Sequence, residues 1–380
     1  MNPRLAGAMI RRGRLERGWS QEGLCRGLCS VSWLSKIESG AAEADGELLG
    51  ALLGRLGLSP VAGEGEVQLI ERAYEAFFGL DTAAGRECLA ALEAALPELE
   101  RGPLAVDAQL LRSALADRDF SVDWPEDVLS GRQRALLLML CGRFAEAWRV
   151  SGEALALFLA GDADFFRGNY TAAMGELNAA FGAAAEQGRV RVMLMSRLVM
   201  GNCCSNSGQY EAMEGHYAVA ERIALALGDA SALRSIRYNR ASTAIELGRA
   251  REGYGYFSTL EEPGAMELHK LASACELLGL TDEALSALDR VPGAPPPDSE
   301  EERELLGEMC AVMRYRLEHP EYLGCAEYGE RLLSLFSELR RRLPPGYAGF
   351  HLRRVLEWLR ANRQYKRALE ILSDFPGHYS

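Results

Sequence analysis

Three glycines stand 40 residues apart, at positions 168, 208 and 248, and the residues around them recur in kind. Gly168 is followed by Tyr170, Ala173, Leu177 and Ala180, and Gly208 by Tyr210, Met213, Tyr217 and Ala220. Gly248 leads to Phe257 and Leu260, and a small residue (Gly161, Gly201 or Ala241) stands seven positions ahead of each glycine. Gly142 (Ala135 ahead, Phe144, Ala147 and Ala154 behind) and Gly279 (Ala272 ahead, Ala284 and Leu288 behind) repeat the scheme more weakly, and Tyr365, Ala368, Leu372 and Pro376 end the series. A fixed period of this length confines the chain to a repeat architecture, in which each unit buries its apolar face against its neighbours. The small residues let two antiparallel helices touch, and the aromatic fills the gap to the next pair.

Between these marks apolar residues recur at three and four positions, the helical period, and no stretch alternates as a strand does. The chain therefore reads as all-α. Past Gly65 the pattern predicts helices over 66–79, 82–96, 103–117, 125–140, 143–159, 162–167, 170–187, 190–206, 209–227, 230–247, 250–260, 264–278, 281–290, 299–317, 320–342, 347–362 and 364–374. The clearest internal loop is VPGAPPPDS, from Val291 to Ser299, whose consecutive prolines donate no backbone bonds and stop any helix.

The N-terminal segment, up to Leu58, has another character. A basic helix is expected over 5–17, then two short ones, Gln21 to Leu28 and Val31 to Ser39, and an apolar one from Glu47 to Leu58. Ser20 and Ser30 are placed as N-caps, and Gly40 at a C′ position where φ > 0 is tolerated. Leu24, Leu28, Leu34 and Ile37 fall on a shared inner face, with Ser32, Trp33 and Lys36 on or near the outer one. Ser59 to Gly65, SPVAGEG, reads as a linker.

Charge separates the same two parts. The 380 residues carry a net −12, which argues against a general nucleic-acid binder, yet residues 1–40 carry +4 and the rest −16. A basic head on an acidic body is what a DNA-binding module attached to something else shows. The nine cysteines are scattered without metal spacing, which suits a reducing compartment. There is no apolar leader at the N-terminus, and no apolar run approaches the length of a membrane-spanning helix, so a soluble, cytoplasmic protein without membrane contact is expected. The histidines form no i,i+4 pair, and no glycine-rich loop sits between a strand and a helix, so no enzyme, cofactor or metal site is expected.

The segment Ser20 to Gly40 resembles the helix-turn-helix of the Cro/Xre phage-repressor family. The match is carried by Ser20-Gln21, Leu24, Leu28, Ser30, Leu34, Ser35, Lys36, Ile37, Glu38 and Gly40. Two positions depart from the family pattern: Leu28-Cys29 stands where a glycine usually precedes the recognition helix, and Gly13 where helix 1 usually carries an apolar residue. The glycine series resembles a tetratricopeptide array with longer helices, since its period is 40 rather than about 34 residues. That resemblance implies a helical solenoid with a groove facing Phe158, Asp162, Phe165, Phe166, Met195, Leu198, Asn202, Ser205, Asn206, Ser235, Tyr238, Asn239, Ser242, His269, Lys270 and Ser273. Asparagine carries a donor and an acceptor on one side chain, so it can grip a peptide backbone in both directions.

A repressor-type head (1–58), a linker (59–65) and a tetratricopeptide-like domain (66–380) together resemble the Rgg/PlcR class of peptide-pheromone-responsive regulators. The resemblance implies a transcription regulator, not an enzyme, that dimerises through its repeats, binds a near-palindromic operator in double-stranded DNA and responds to a short signalling peptide. Carried onto this chain, the DNA contacts are Gln21, Ser30, Ser32, Trp33 and Lys36, with Arg11, Arg12 and Arg14 near phosphates. The peptide contacts are Asn202, Asn206, Asn239 and Tyr238, with Arg197 for a carboxylate. The alternative is a regulator or adaptor whose repeats are a scaffold for another protein, with no peptide ligand.

Overall fold

The structure, a computed structural model, describes residues 2–116, 124–297 and 299–373; Pro376 and the expected helix ends at 117 and 374 lie outside them. Among the described residues the fold is all-α, with no strand. An N-terminal helix-turn-helix is followed by a helical repeat-like region. The chain forms two compact units, residues 1–160 with 179–192 and residues 161–178 with 193–380.

The first unit begins with α1 (Pro3–Glu16), α2 (Gln21–Cys25), α3 (Val31–Glu38) and α4 (Gly46–Arg55). Ser20 Oγ accepts from the Gly23 N–H and Ser30 Oγ from the Trp33 N–H, so both short helices start at side-chain caps. The chain reverses between them at Gly27 (φ 74°), just before the expected Leu28-Cys29. The left-handed residue is thus present, shifted by one position, and it ends α2 at Cys25 rather than Leu28. Ile10, Leu24, Leu34, Ile37, Leu52, Leu53 and Leu56 are fully buried. Each such side chain stabilises by about 1.5–3 kcal/mol. A Cβ on Gly7 would lie 2.1 Å from the Ile37 carbonyl oxygen, so α1 and α3 meet backbone to backbone. At Gly13 the space of the missing side chain is taken by Leu58 and Leu56.

Helices α5 (Glu64–Phe78), α6 (Thr82–Ala94), α7 (Leu96–Leu99), α8 (Ala105–Ala116), α9 (Gly131–Leu140) and α10 (Phe144–Ser151) follow. Their core holds a closed polar network. Asp107 accepts from Tyr74 Oη (2.7 Å) and Gln133 Nε2 (2.8 Å), while the Arg132 guanidinium lies 3.6 Å from the Tyr74 ring centroid. Burial pushes the Asp107 carboxyl up, and these two donors oppose the shift.

The remaining helices are α11 (Ala154–Phe166), α12 (Tyr170–Gln187), α13 (Val190–Asn206), α14 (Tyr210–Leu227), α15 (Ala230–Glu246) and α16 (Ala250–Phe257). After them come α17 (Ala265–Leu278), α18 (Thr281–Arg290), α19 (Glu300–Glu318), α20 (Ala326–Arg342), α21 (Pro345–Ala361) and α22 (Tyr365–Ser373). In the second unit the glycine series shows its physical basis. Gly168, Gly208 and Gly248 have φ of 80°, 72° and 76°, the left-handed conformation that a side chain disfavours. In each turn the next residue's N–H (Asn169, Gln209, Arg249) donates at 2.8 Å to the carbonyl five positions back (Asp164, Cys204, Ala244). The same closure therefore ends one helix and starts its partner at each of the three glycines. The small residue seven positions earlier is a contact point: a Cβ on Gly201 would meet the Tyr217 ring at 2.3 Å, and one on Gly161 the Leu177 side chain at 2.7 Å.

Several expected helices differ from the observed ones. The helix expected over 143–159 is two: Gly152 turns left-handed (φ 66°) and ends α10, after which α11 starts at Ala154. The break expected near Gly161 is absent, because that glycine serves helix contact, and the piece expected over 162–167 is the end of α11. Over 125–140 the first residues form a 3-10 turn, Glu126–Val128, and the helix starts only at the Ser130 capping box. Likewise 320–342 begins with the 3-10 turn Tyr322–Gly324 before α20.

The Gly201–Tyr217 contact yields a direct test. The Tyr217 ring is fully buried and its hydroxyl donates to Asn202 Oδ1, so it has nowhere to move. Gly201→Ala is expected to destabilise the second unit by about 1–3 kcal/mol, read as a lowered denaturant midpoint. Gly175→Ala, which meets nothing within 4 Å in the interior of α12, should not lower it and is expected to add about 0.5–1 kcal/mol.

Candidate nucleic-acid interface and ligand cavity

The outward face of α3 carries Val31, Ser32, Trp33, Ser35 and Lys36, all exposed, with Trp33 at 40%. The inner face of the same helix is buried, so α3 stands as a rigid ridge on the head. Ser30 lies at its start, exposed, with its hydroxyl occupied as the cap.

Behind that ridge is the strongest polar contact of the head. Arg14 donates from Nε and Nη2 to the two Glu38 oxygens (2.6 and 2.8 Å) and from Nη1 to the Trp19 carbonyl (2.8 Å). Gln21 Nε2 donates to the same carboxylate at 2.8 Å. The pair is buried, with Arg14 only 8% exposed. Paired and hydrogen-bonded in this way, it ties the end of α1 and the start of α2 to the last turn of α3.

Two of the expected DNA contacts have partners inside the head. Arg14, expected near phosphates, is a buried strut whose guanidinium is already engaged on both edges. Gln21, expected on DNA, is half-buried and holds Glu38. Arg12 pairs with Glu16 at 2.7 Å and lies 5.0 Å from the Trp124 ring centroid, so its charge is partly offset. Arg11 is exposed. A sequence signal for the strut exists, since Arg14 and Glu38 are opposite charges on two helices that must pack, but residue type alone does not separate a buried arginine from a phosphate contact.

In the second unit a cavity of about 320 Å³ opens between α13, α15 and the residues joining α20 to α21. Asn202, Ser205 and Asn206 line it from α13, and Tyr238, Asn239, Ser242, Thr243 and Glu246 from α15. Lys270, Glu302, Pro344, Gly346 and Tyr347 close it, with Phe165 and Phe166 at one side. Four of the residues expected to contact a peptide (Asn202, Asn206, Asn239 and Tyr238) are thus brought together. Asn202 Oδ1 accepts from Tyr217 Oη (2.7 Å) and Asn239 Nδ2 (2.9 Å), and Asn206 Nδ2 donates to Tyr170 Oη (3.2 Å). The bond from Tyr217 lies within one hairpin, the other two join neighbouring hairpins, and together they fix the amides on the wall.

Other expectations for this region are corrected. Arg197 lies outside the lining and meets His216 Nδ1 at 3.1 Å. His269 and Phe158 are buried instead of lining the cavity; the His269 ring packs 5.7 Å from that of His351. Sequence reasoning misses Glu246 although a signal exists, because residues 239, 242, 243 and 246 follow the i, i+3, i+4, i+7 pattern of one helical face. Glu302, Pro344, Gly346 and Tyr347 come from far along the chain, and no local pattern announces them. Tyr347 Oη donates to a Glu302 oxygen across this wall.

Among the described residues no cluster of histidine, cysteine and acidic side chains is placed to hold a metal ion, and no helix is long and apolar enough to cross a membrane. The nine cysteines are free, and burial pushes the Cys203 thiol up to about 12, away from reactivity.

Residues 10–62 match the family model described as helix-turn-helix. Among solved structures, Bacillus thuringiensis PlcR in complex with the peptide PapR7 and DNA is similar at 15% identity and a TM-score of 0.32. The likeness covers 75% of this chain and 99% of that one. No curated protein matches the chain.

Removing one partner of a buried ion pair leaves the other charge uncompensated. Glu38→Ala is therefore expected to cost about 3–5 kcal/mol of head stability, and Arg14→Met combined with Glu38→Leu to recover most of it. Thermal unfolding followed by Trp19 and Trp33 fluorescence measures this, and an unchanged transition in Glu38→Ala would contradict the strut assignment.

Proposed function

We propose that this chain is a DNA-binding transcriptional regulator that reads DNA with α3 and binds a short signalling peptide in the asparagine-lined cavity, the peptide switching DNA binding or activity. The observation that carries the reading is the exposed ridge Ser32–Trp33–Lys36 on a matched helix-turn-helix, braced from behind by Arg14 and Glu38. Such a helix fits the major groove, where base edges present distinct donors and acceptors. Lys36 has the chemistry for a guanine edge, and Arg11 for phosphate. One head offers few base contacts, so useful specificity needs two half-sites, hence a homodimer on a near-palindromic operator. In this reading residues 1–58 are the DNA-binding domain, 59–65 the linker, and 66–380 a tetratricopeptide-like receptor and dimerisation domain acting in the cytoplasm.

The asparagine wall supports a peptide because main-chain amides need paired donors and acceptors, which Asn206 and Asn239 carry on fixed side chains. A ligand switches the protein only as far as it binds two states unequally. One observation favours the second reading, a protein-interaction scaffold without a peptide: Asn202 Oδ1 already accepts two hydrogen bonds from within the chain.

Quantitative retardation of DNA from the chain's own upstream region tests the DNA half. Lys36→Ala is expected to lose about 1–3 kcal/mol on the preferred site and to relax sequence choice. Arg11→Ala should weaken all DNA alike and lower the salt slope by about 1. Unchanged affinity and unchanged preference in Lys36→Ala would rule out α3 as the reading helix.

A further inference from the structure

Several buried charged side chains of the second unit meet partners inside the chain. Glu276, for one, accepts from Arg316 at 2.6 and 2.7 Å and meets Arg354 at 2.9 Å. The cavity wall carries two charges without such partners. Glu246 and Lys270 both line it, and among the described residues neither has a hydrogen bond or an ion pair. Lys270 is only 9% exposed, and its ammonium sits 3.0 Å from the Phe350 ring centroid, a face with no acceptor atom. Glu246 is half-buried and is the last residue of α15, where the negative end of the helix dipole disfavours a carboxylate and favours an arriving cation. Burial pushes the Glu246 carboxyl up and the Lys270 ammonium down, and the attraction between them only partly opposes both shifts.

An unpaired charge held out of water costs several kcal/mol, and two of opposite sign facing one space are stabilised together by a ligand that carries both complements. The space is small, near the lower end of the roughly 300–1,000 Å³ range of small-molecule sites. Its other polar groups are neutral amides, hydroxyls and Glu302, which Tyr347 already engages.

We infer that the cavity recognises a zwitterion of amino-acid to dipeptide size, its carboxylate on Lys270 and its ammonium on Glu246. This rests on the ligand-binding reading above and narrows it. The zwitterion is either a free amino acid or dipeptide, or the end of a longer peptide whose terminal carboxylate neighbours a basic side chain. Asn206 and Asn239 then hold the adjoining amide, and Phe165 and Phe166 offer apolar surface to a side chain.

The test is a calorimetric binding panel on the full chain. It contains the twenty free amino acids, a set of dipeptides, and hexapeptides ending in Lys or Arg followed by a free carboxylate. Each is also made with the amine acetylated and with the carboxylate amidated. At least one unblocked member is expected to bind, with amidation or acetylation weakening it at least about 30-fold. Lys270→Met should bind the acid and the amide equally, and Glu246→Gln should bind the free and the acetylated amine equally. Because the blocked forms are compared on the unaltered protein, the result stands even if a variant fails to fold. Binding by amino acids or dipeptides identifies a free metabolite; binding by hexapeptides alone identifies a peptide end. Hexapeptides that bind whether blocked or not would overturn this inference and leave the peptide reading in place. A panel in which nothing binds would overturn this inference.

Discussion

The turn at Gly168, Gly208 and Gly248 is the constraint on which the second unit depends. Each glycine adopts a left-handed conformation and lets the following N–H close onto the carbonyl five positions back. That closure sets where one helix ends and where the next begins. The small residues at 161 and 201 can then meet their partners, Leu177 and Tyr217, only at one register. With the register set, residues of α13 and α15 at matching heights (Asn202 and Asn239, Ser205 and Thr243) come within hydrogen-bond distance, 2.9 and 2.8 Å respectively. The cavity wall is a consequence of the turn chemistry, expressed once per hairpin.

Two kinds of buried polar group stand out. Asp107 with Tyr74 and Gln133, Arg14 with Glu38, and Glu276 with Arg316 and Arg354 are closed, each charge or hydroxyl meeting a partner inside the chain. They hold helices in place and offer little to a ligand. Glu246 and Lys270 face the cavity without such partners. The contrast matters more than the burial: the two groups attract each other and Lys270 lies on the Phe350 ring, yet among the described residues neither has a hydrogen-bonded partner. In the head the polarity runs the other way: the buried pair lies behind α3, leaving Ser32, Trp33 and Lys36 outward.

The all-α class, the helix-turn-helix and the hairpin turns are legible in the sequence because each depends on local chemistry: apolar spacing, a serine cap, a glycine past a helix end. Errors arise where one residue type serves two purposes. Gly161 belongs to the contact series, as the structure has it, yet also interrupts the expected helix bounds, while Gly152 reads as mid-helix and is a stop. Arg14 reads as a phosphate contact and is a buried strut, because charge patterning does not report which face of a helix is covered. The asparagines of the cavity are legible from their register on the repeat. Gly346 and Tyr347 are not, since nothing near Asn206 in sequence shows that the first turn of a helix from so much further along the chain packs against it.

The central claim is that the helical domain is a receptor whose ligand stabilises it. The most direct measurement is a thermal melt of the purified chain in extract of spent culture medium from its own species, against fresh-medium extract. A peptide at 100 times its dissociation constant should add roughly 2.7 kcal/mol of stability, seen as an upward shift that protease treatment of the extract removes. A shift that survives protease points to a non-peptide ligand, and no shift, in protein that still retards its own upstream DNA, contradicts the receptor account.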